Sequence, residues 1–364
     1  MLIVDKNIKS ARDSLFSFLG NIFSYKCKLS PVVQHHTWSV FIKPVLRSGL
    51  SALPIRPPVL KTLTVFHHKI LRAILKLSPY SPIAPLYFLL GELPIEASLH
   101  MDVLSLFWNI WSNPQTKSFE VLQYLLKMST SNSLTWSAHV RILFLMYKLP
   151  DPLLLLDAPP WPKEKWKQHT QIAITSYHEA SLRRNSARNF KLEYLNVQAS
   201  GLSGRPHPVL SWVMTTRDVT VSRPHVKMLA GDYLCYVNLA HDRGLDPHCR
   251  ICQVLSSHPA PAESLVHLLT RCRATADTRD RIMPEILNTV AKYFPSNKIL
   301  SSPNQDILTQ FILDCSSLNL PVNTRVPPTL EGFIPITKEC SNLIFAIHQD
   351  RTRQMKALGL LHYK

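Results

Sequence analysis

The stretch HCRICQVLSSHPAPAESLVHLLTRC (248–272) decides the fold of the C-terminal part of the chain. Two cysteines separated by two residues, Cys249 and Cys252, are followed by His267 and then by Cys272. A Cys-x-x-Cys turn presents both sulfurs to one ion, and a histidine and a cysteine on the next element complete a tetrahedron. Three thiolates and an imidazole favour zinc and leave no open coordination position, so the pattern predicts a structural zinc site.

Other side chains near this stretch are alternatives for the fourth ligand. His248 and His258 compete with His267, and Cys235 is a more distant candidate. A continuous helix would place His267 and Cys272 about 140° apart, so the helix is expected to end before Cys272. The competing interpretation is a set of buried free cysteines that bind no metal.

The charge of the chain points to a polyanionic partner. The 364 residues include 41 Lys and Arg against 24 Asp and Glu, a formal net charge of +17. Nucleic acid, RNA or DNA, is the commonest partner of such a chain, although a basic protein need not have one. The odd count of 7 cysteines and the lack of a secretory signal or a long apolar run predict an intracellular protein, nuclear or cytoplasmic, without a membrane span.

Composition and periodicity predict a mainly α fold. Gly is scarce, at 9 residues, and the 28 prolines interrupt apolar patterns with the helical period. The predicted helices cover 5–23, 32–45, 59–77, 96–111, 119–128, 136–148, 163–194, 281–294, 307–315 and 340–360. We expect a helical domain over 1–150, a charged helix and a proline-rich linker over 151–224, and a small zinc-stabilised helical domain over 225–364. The linker is expected to hold at most a short strand near 209–214.

Basic residues mark two candidate surfaces for phosphate contacts. Arg250, Arg271, Arg273 and Arg279 lie around the predicted zinc site. Three more basic residues, Lys69, Arg72 and Lys76, are spaced three and four apart and so share one face of a predicted helix. The alternative for both groups is a solvated charged face.

No motif indicates catalysis, so the chain is not expected to be an enzyme. It contains no Walker loop, no Gly-x-Ser-x-Gly, no His-Glu-x-x-His and no adjacent pair of aspartates. The pairs His35-His36 and His67-His68 have no acidic partner nearby in the sequence. They are therefore interpreted as ordinary surface or core histidines.

Three stretches give the chain a resemblance to a known family. They are 11–50 with FHHKILRAILKL (66–77), PLYFLLGELPIEASLHMDVLSLFWNI (85–110), and 248–287 with its HCRICQ and ESLVHLLTRC segments. In this order they resemble the C-terminal region of the reverse transcriptase of non-LTR (LINE-type) retrotransposons, with its helical thumb and connection and its CCHC zinc knuckle.

The resemblance implies a non-catalytic, nucleic-acid-binding fragment of that enzyme. The family's polymerase needs paired aspartates in a palm, and this chain has none, so the palm and fingers would be partners. The first part would be thumb-like, and the basic helices with the zinc knuckle would grip template RNA or target DNA. The alternative function is a zinc-stabilised helical module that binds protein and not nucleic acid.

Overall fold

A computed structural model of the protein describes residues 2–19, 29–128, 134–196, 201–202, 204–255, 259–293, 304–317 and 330–360. These residues form α-helices and no named β-strand, which confirms the predicted mainly α fold. The helices are α1 (Leu2–Leu19), α2 (Pro31–Thr37), α3 (Lys43–Arg47), α4 (Pro57–Leu75), α5 (Ala84–Leu90), α6 (Ile95–Trp111), α7 (Lys117–Met128), α8 (Trp136–Met146), α9 (Pro152–Leu156), α10 (Lys163–Ala187), α11 (Pro208–Ser211), α12 (Thr216–Leu229), α13 (Tyr236–Arg243), α14 (Arg250–Leu255), α15 (Ala276–Tyr293), α16 (Gln305–Leu313) and α17 (Leu330–Ala357). The helical backbone widens into a π-helix over Trp38–Ile42 and over His267–Arg271.

Helix α4 shows how the sequence sets these elements. It begins with Pro57, whose missing N–H costs nothing in the first turn of a helix. Leu63, Ile70 and Ile74 recur with the helical period and are buried. The helix ends where Lys76 takes the left-handed conformation, with a φ of 55°. The apolar face of α4 thereby becomes part of the main core.

One large core joins the two ends of the chain. Buried residues from α1 to α6 pack in the same cluster as residues from α11, α12 and α15 to α17. A second cluster, formed by α6 to α10, holds the aromatic side chains Phe107, Trp111, Phe144 and Trp166. The first cluster draws on all three predicted segments, and the boundaries at 150 and 224 stay a prediction.

The segment expected to be a linker contains helices. The short strand expected near 209–214 is wrong, because α11 begins at Pro208 after the His207 side chain caps the Val209 N–H. Helix α12 then starts with a capping box in which Thr215 and Asp218 bond each other's backbone N–H. Its internal Pro224 is buried, so packing offsets the backbone hydrogen bond that proline removes.

None of the helices in the described part of the chain has both the length and the apolar character that a membrane span requires.

Candidate metal centre

The four predicted ligands come together in a buried cluster. The ligand atoms of Cys249, Cys252, His267 and Cys272 all lie within 4.8 Å of one another. The Cys252 Sγ is 3.5 Å from the His267 Nε2 and 3.7 Å from the Cys272 Sγ. A tetrahedral ion with bonds of about 2.3 Å to sulfur and about 2.0 Å to nitrogen requires about 3.5 Å between sulfur and nitrogen and about 3.8 Å between two sulfurs. The cluster therefore fits one tetrahedral metal ion and is too wide for a disulfide.

A π turn brings the last two ligands to the same side of their helix. The Cys272 N–H donates to the His267 carbonyl at 2.7 Å, a bond that spans five residues. Because of the wider turn, Cys272 lies on the same side of the helix as His267. In an α-helix of 3.6 residues per turn, the two residues would point in different directions. Cys272 itself is extended, with φ −60° and ψ 121°. The helix ends before Cys272 as expected, but it does so by widening.

The loop between the two halves of the cluster is closed at its base. An isolated antiparallel bridge joins His248 to Ala262, and the Cys249 N–H donates to the Pro261 carbonyl at 2.8 Å. The intervening prolines therefore lie in a closed loop and do not separate the ligands. His248 is not a ligand: its ring is half exposed and bonds to Asp246.

Of the remaining alternative ligands, the structure describes Cys235 only. Cys235 is buried at the start of α13 and is not a member of the cluster. His258 lies outside the described residues.

The contact between the thiols of Cys249 and Cys272 shifts their pKa values in opposite directions. The hydrogen bond between them lowers the pKa of Cys272 and raises the pKa of Cys249.

A buried ion pair that the sequence did not suggest holds the loop to the rest of the protein. The Arg351 guanidinium of α17 donates to the Glu263 carboxylate at 2.6 Å, and Glu263 is 0% exposed. The same carboxylate accepts the Tyr236 N–H at 3.2 Å, and the Glu263 N–H donates to the Pro247 carbonyl. Glu263 thus joins α13, the base of the loop and α17. The sequence shows that Glu263 lies four residues before His267, but it gives no sign of the pairing with Arg351.

The basic residues beside the cluster fall into two groups. Arg271 and Arg273 are exposed on either side of the buried Cys272 and have no ion pair among the described residues. Arg279 instead donates to the Cys272 carbonyl and to the Thr275 hydroxyl, both at 2.7 Å. Arg250 lies 3.9 Å from the Asp246 carboxylate. Arg279 supports a ligand, whereas Arg271 and Arg273 face solvent.

The three basic residues predicted to share a face of α4 are placed differently. Lys69 is exposed. Arg72 is half-buried and donates to the Ser81 carbonyl at 2.9 Å. Lys76 follows the helix in the left-handed conformation and is buried. The described structure therefore leaves Lys69 as the exposed cation of this set.

One histidine of each pair lies near an acidic side chain that is distant in the sequence. Glu92, which follows α5, lies 2.7 Å from His35, 2.5 Å from Lys43 and 3.7 Å from His67. Burial alone would raise the pKa of Glu92, but the hydrogen bond with His35 and the Lys43 ammonium hold it well below its usual range. Burial lowers the pKa of His67 to about 3. We call Glu92, His35, Lys43 and His67 the Glu92 cluster.

Comparison of the chain with protein families, with characterised proteins and with solved structures finds no match.

Proposed function

We propose that Cys249, Cys252, His267 and Cys272 hold a structural zinc ion, and that the basic surface beside this ion binds nucleic acid. One observation carries the proposal: two exposed arginines, Arg271 and Arg273, flank a buried ligand of a Cys₃His cluster. Four protein ligands leave no position for substrate, which is the arrangement of structural zinc sites.

The two arginines suit phosphate recognition. Arg271 precedes and Arg273 follows Cys272, whose backbone is held by the π turn and by the hydrogen bond from Arg279. A guanidinium presented from a rigid backbone contacts phosphate oxygens with little loss of backbone entropy. The net charge of +17 adds attraction over a longer range.

The resemblance to non-LTR reverse transcriptases gives the proposed context. In that context the chain is the non-catalytic part of such an enzyme, and it grips template RNA or target DNA. Its support is the order of the three similar stretches and the lack of an adjacent aspartate pair. The palm and fingers of the enzyme would then be partners of this chain.

Zinc content and salt-dependent binding test the proposal. We expect about one zinc per chain by elemental analysis, and binding to labelled RNA or duplex DNA that weakens steeply with salt. Replacing both Arg271 and Arg273 with Gln should reduce the slope of log K against log salt by about 1.8 on duplex DNA. A matched double variant on α7, Lys117→Gln with Lys127→Gln, should leave the slope unchanged. No binding at low salt would overturn the nucleic-acid part of the proposal.

An exposed apolar stripe on α7 favours the second candidate, a protein-interaction module. Val121, Tyr124, Leu125 and Met128 recur at helical spacing and are 39% to 66% exposed. Such a stripe is typical of a helix face that a partner covers. A chain that retains zinc, binds no nucleic acid and self-associates or binds protein through this stripe would support this candidate.

A further inference from the structure

A polar groove lies between α12 and α17. Its volume is about 600 Å³, and it is open to solvent. The lining residues are Thr216, Arg217, Thr220 and Val221 of α12 with Asn342, Phe345 and Gln349 of α17. The groove therefore combines hydroxyls, side-chain amides, one cation and one aromatic ring.

The ring of Phe345 both lines the groove and contacts the protein interior. It is half-buried and packs against the small apolar cluster of Trp212, Val213, Val219 and Val221. This packing limits the rotation of the ring, and its exposed part can contact a planar group in the groove. Asn342 and Gln349 line the groove about one helical turn to either side of Phe345, and a side-chain amide can hydrogen-bond to the edge of a planar group.

Cations extend the groove along one side of α12. Thr216, Thr220, Arg223 and Lys227 are spaced four, three and four apart and so follow one face of the helix. Arg223 and Lys227 lie about one and two helical turns beyond Thr220 along α12, past the residues that line the groove. From Arg217 to Lys227 the helix rises about 15 Å.

Acidic side chains near the groove are already engaged. The Asp218 carboxylate accepts the Met214 and Thr215 N–H groups. Glu339 accepts from the Asn342 amide at 3.1 Å. The groove consequently presents hydroxyls and the Arg217 guanidinium on the α12 side, and the Asn342 and Gln349 side chains beside Phe345 on the α17 side.

We propose that this groove binds single-stranded nucleic acid, with a base stacked on Phe345 and phosphates against Arg217 and Lys227. The inference rests on the proposed nucleic-acid function and names the form of the ligand. An unpaired base offers the planar face that Phe345 can stack on, and both edges that the amides can read. A duplex keeps its bases stacked inside, and an acidic peptide without rings would leave the Phe345 ring unused.

Binding of a labelled oligonucleotide of about 16 nucleotides tests the groove in the full chain. Phe345→Leu should weaken single-strand binding about tenfold and leave duplex binding nearly unchanged. Arg217→Gln should lower the salt slope on single strands by about 0.7. The control is Lys61→Gln, which removes an exposed lysine of α4 and should change neither quantity. A bromouracil oligonucleotide should crosslink to a peptide containing Phe345.

The possible outcomes separate this inference from the proposed function. If the wild-type chain binds nucleic acid and both groove variants bind single strands as it does, the groove is not the site and the proposed function stands. If the wild-type chain binds none, both fail. Tighter binding of a free nucleoside monophosphate than of the oligonucleotide also overturns the inference. Should Phe345→Leu lose its helical circular dichroism, Arg217→Gln and the crosslink decide.

Discussion

The candidate metal centre and the Glu92 cluster are both largely buried sets of four polar side chains, but they are assembled in opposite ways. The four metal ligands come from 24 consecutive residues, Cys249 to Cys272. The Glu92 cluster draws on α2, α3, α4 and the turn after α5, so that His35 and Glu92 are 57 residues apart. The sequence spacing of the cysteine and histidine residues indicates their chemistry, whereas no sequence spacing indicates the Glu92 cluster.

The difference separates two ways of keeping charge inside a protein. Thiolates and an imidazole are stable in the interior when an ion neutralises them. Glu92 relies on Lys43 and His35, which reach it only when the helices have packed. The metal centre is thus specified locally, whereas the Glu92 cluster is a product of the tertiary fold.

Loss of a metal ligand should have the largest effect. Structural zinc contributes about 10–16 kcal/mol in small zinc domains, as much as the whole stability of a typical protein. We therefore expect Cys272→Ser to lose zinc and to lose helical structure around α13 to α15, measured by elemental analysis and circular dichroism. The control, Cys235→Ala, removes a buried thiol outside the cluster. Full zinc content in Cys272→Ser would contradict the proposed ligand set.

Acid should lower the free energy of unfolding through the histidines buried among the helices. Burial lowers the pKa of His67 and His100 to about 3, and that of His225 to about 4. Below about pH 6.5 the unfolded chain protonates these rings and the folded chain does not, so the free energy of unfolding falls as the pH falls toward 4. Each ring contributes up to about 1.4 kcal/mol per pH unit.

Urea unfolding at a series of pH values in excess zinc checks this expectation. In His100→Gln the free energy of unfolding should depend less steeply on pH, by the slope that corresponds to the uptake of one proton. An unchanged slope would mean that His100 is protonated in the folded protein, against its burial beside Tyr147 and His139.

Removal of the Glu92 charge should cost about 3–5 kcal/mol, because Glu92 is buried and its loss leaves the largely buried Lys43 without its counter-ion. We propose Glu92→Gln, measured by urea unfolding at neutral pH. The matched control is Asp102→Asn, which removes the more exposed carboxylate that pairs with Arg47 at 3.2 Å. That change should cost less than about 1 kcal/mol. Equal costs would show that burial does not distinguish the two pairs.

The glycine before Glu92 should be sensitive for a steric reason. Gly91 has a φ of 63°, and a Cβ placed there would lie 2.2 Å from the Arg205 carbonyl oxygen. Gly91→Ala should therefore cost more than the roughly 1–2 kcal/mol of a left-handed alanine alone. Gly49 has a φ of 72° with nothing within 4 Å of its Cβ position, so Gly49→Ala measures the conformational cost without the clash. Similar costs for the two would contradict the close approach at Gly91.

Patterns of short range predicted much of the structure. The helical period located α4 and α6, and the cysteine and histidine spacing located the ligands. Helix α12 was missed because Pro224 suggested a linker, although Thr215 and Asp218 form a capping box that is visible in the sequence. The strand expected near 209–214 failed because His207 and Pro208 start a helix there.

Contacts between distant residues were beyond the sequence. Nothing in the spacing of Glu263 and Arg351, 88 residues apart, indicates that they pair. The same holds for Glu92 with His35 and Lys43. The expected shared face of Lys69, Arg72 and Lys76 assumed that the helix continues, whereas it ends before Lys76. A helical pattern shows which residues align but not where a cap or a tertiary partner interrupts them.

The pairing of Glu263 with Arg351 has a consequence for the order of assembly during translation. The ribosome makes the four cysteine and histidine residues of the cluster before it makes the arginine that pairs with the carboxylate between them. Until α17 docks, Glu263 has no counter-ion and stays hydrated. We therefore expect the surroundings of the cluster to be completed only after α17 has been synthesised.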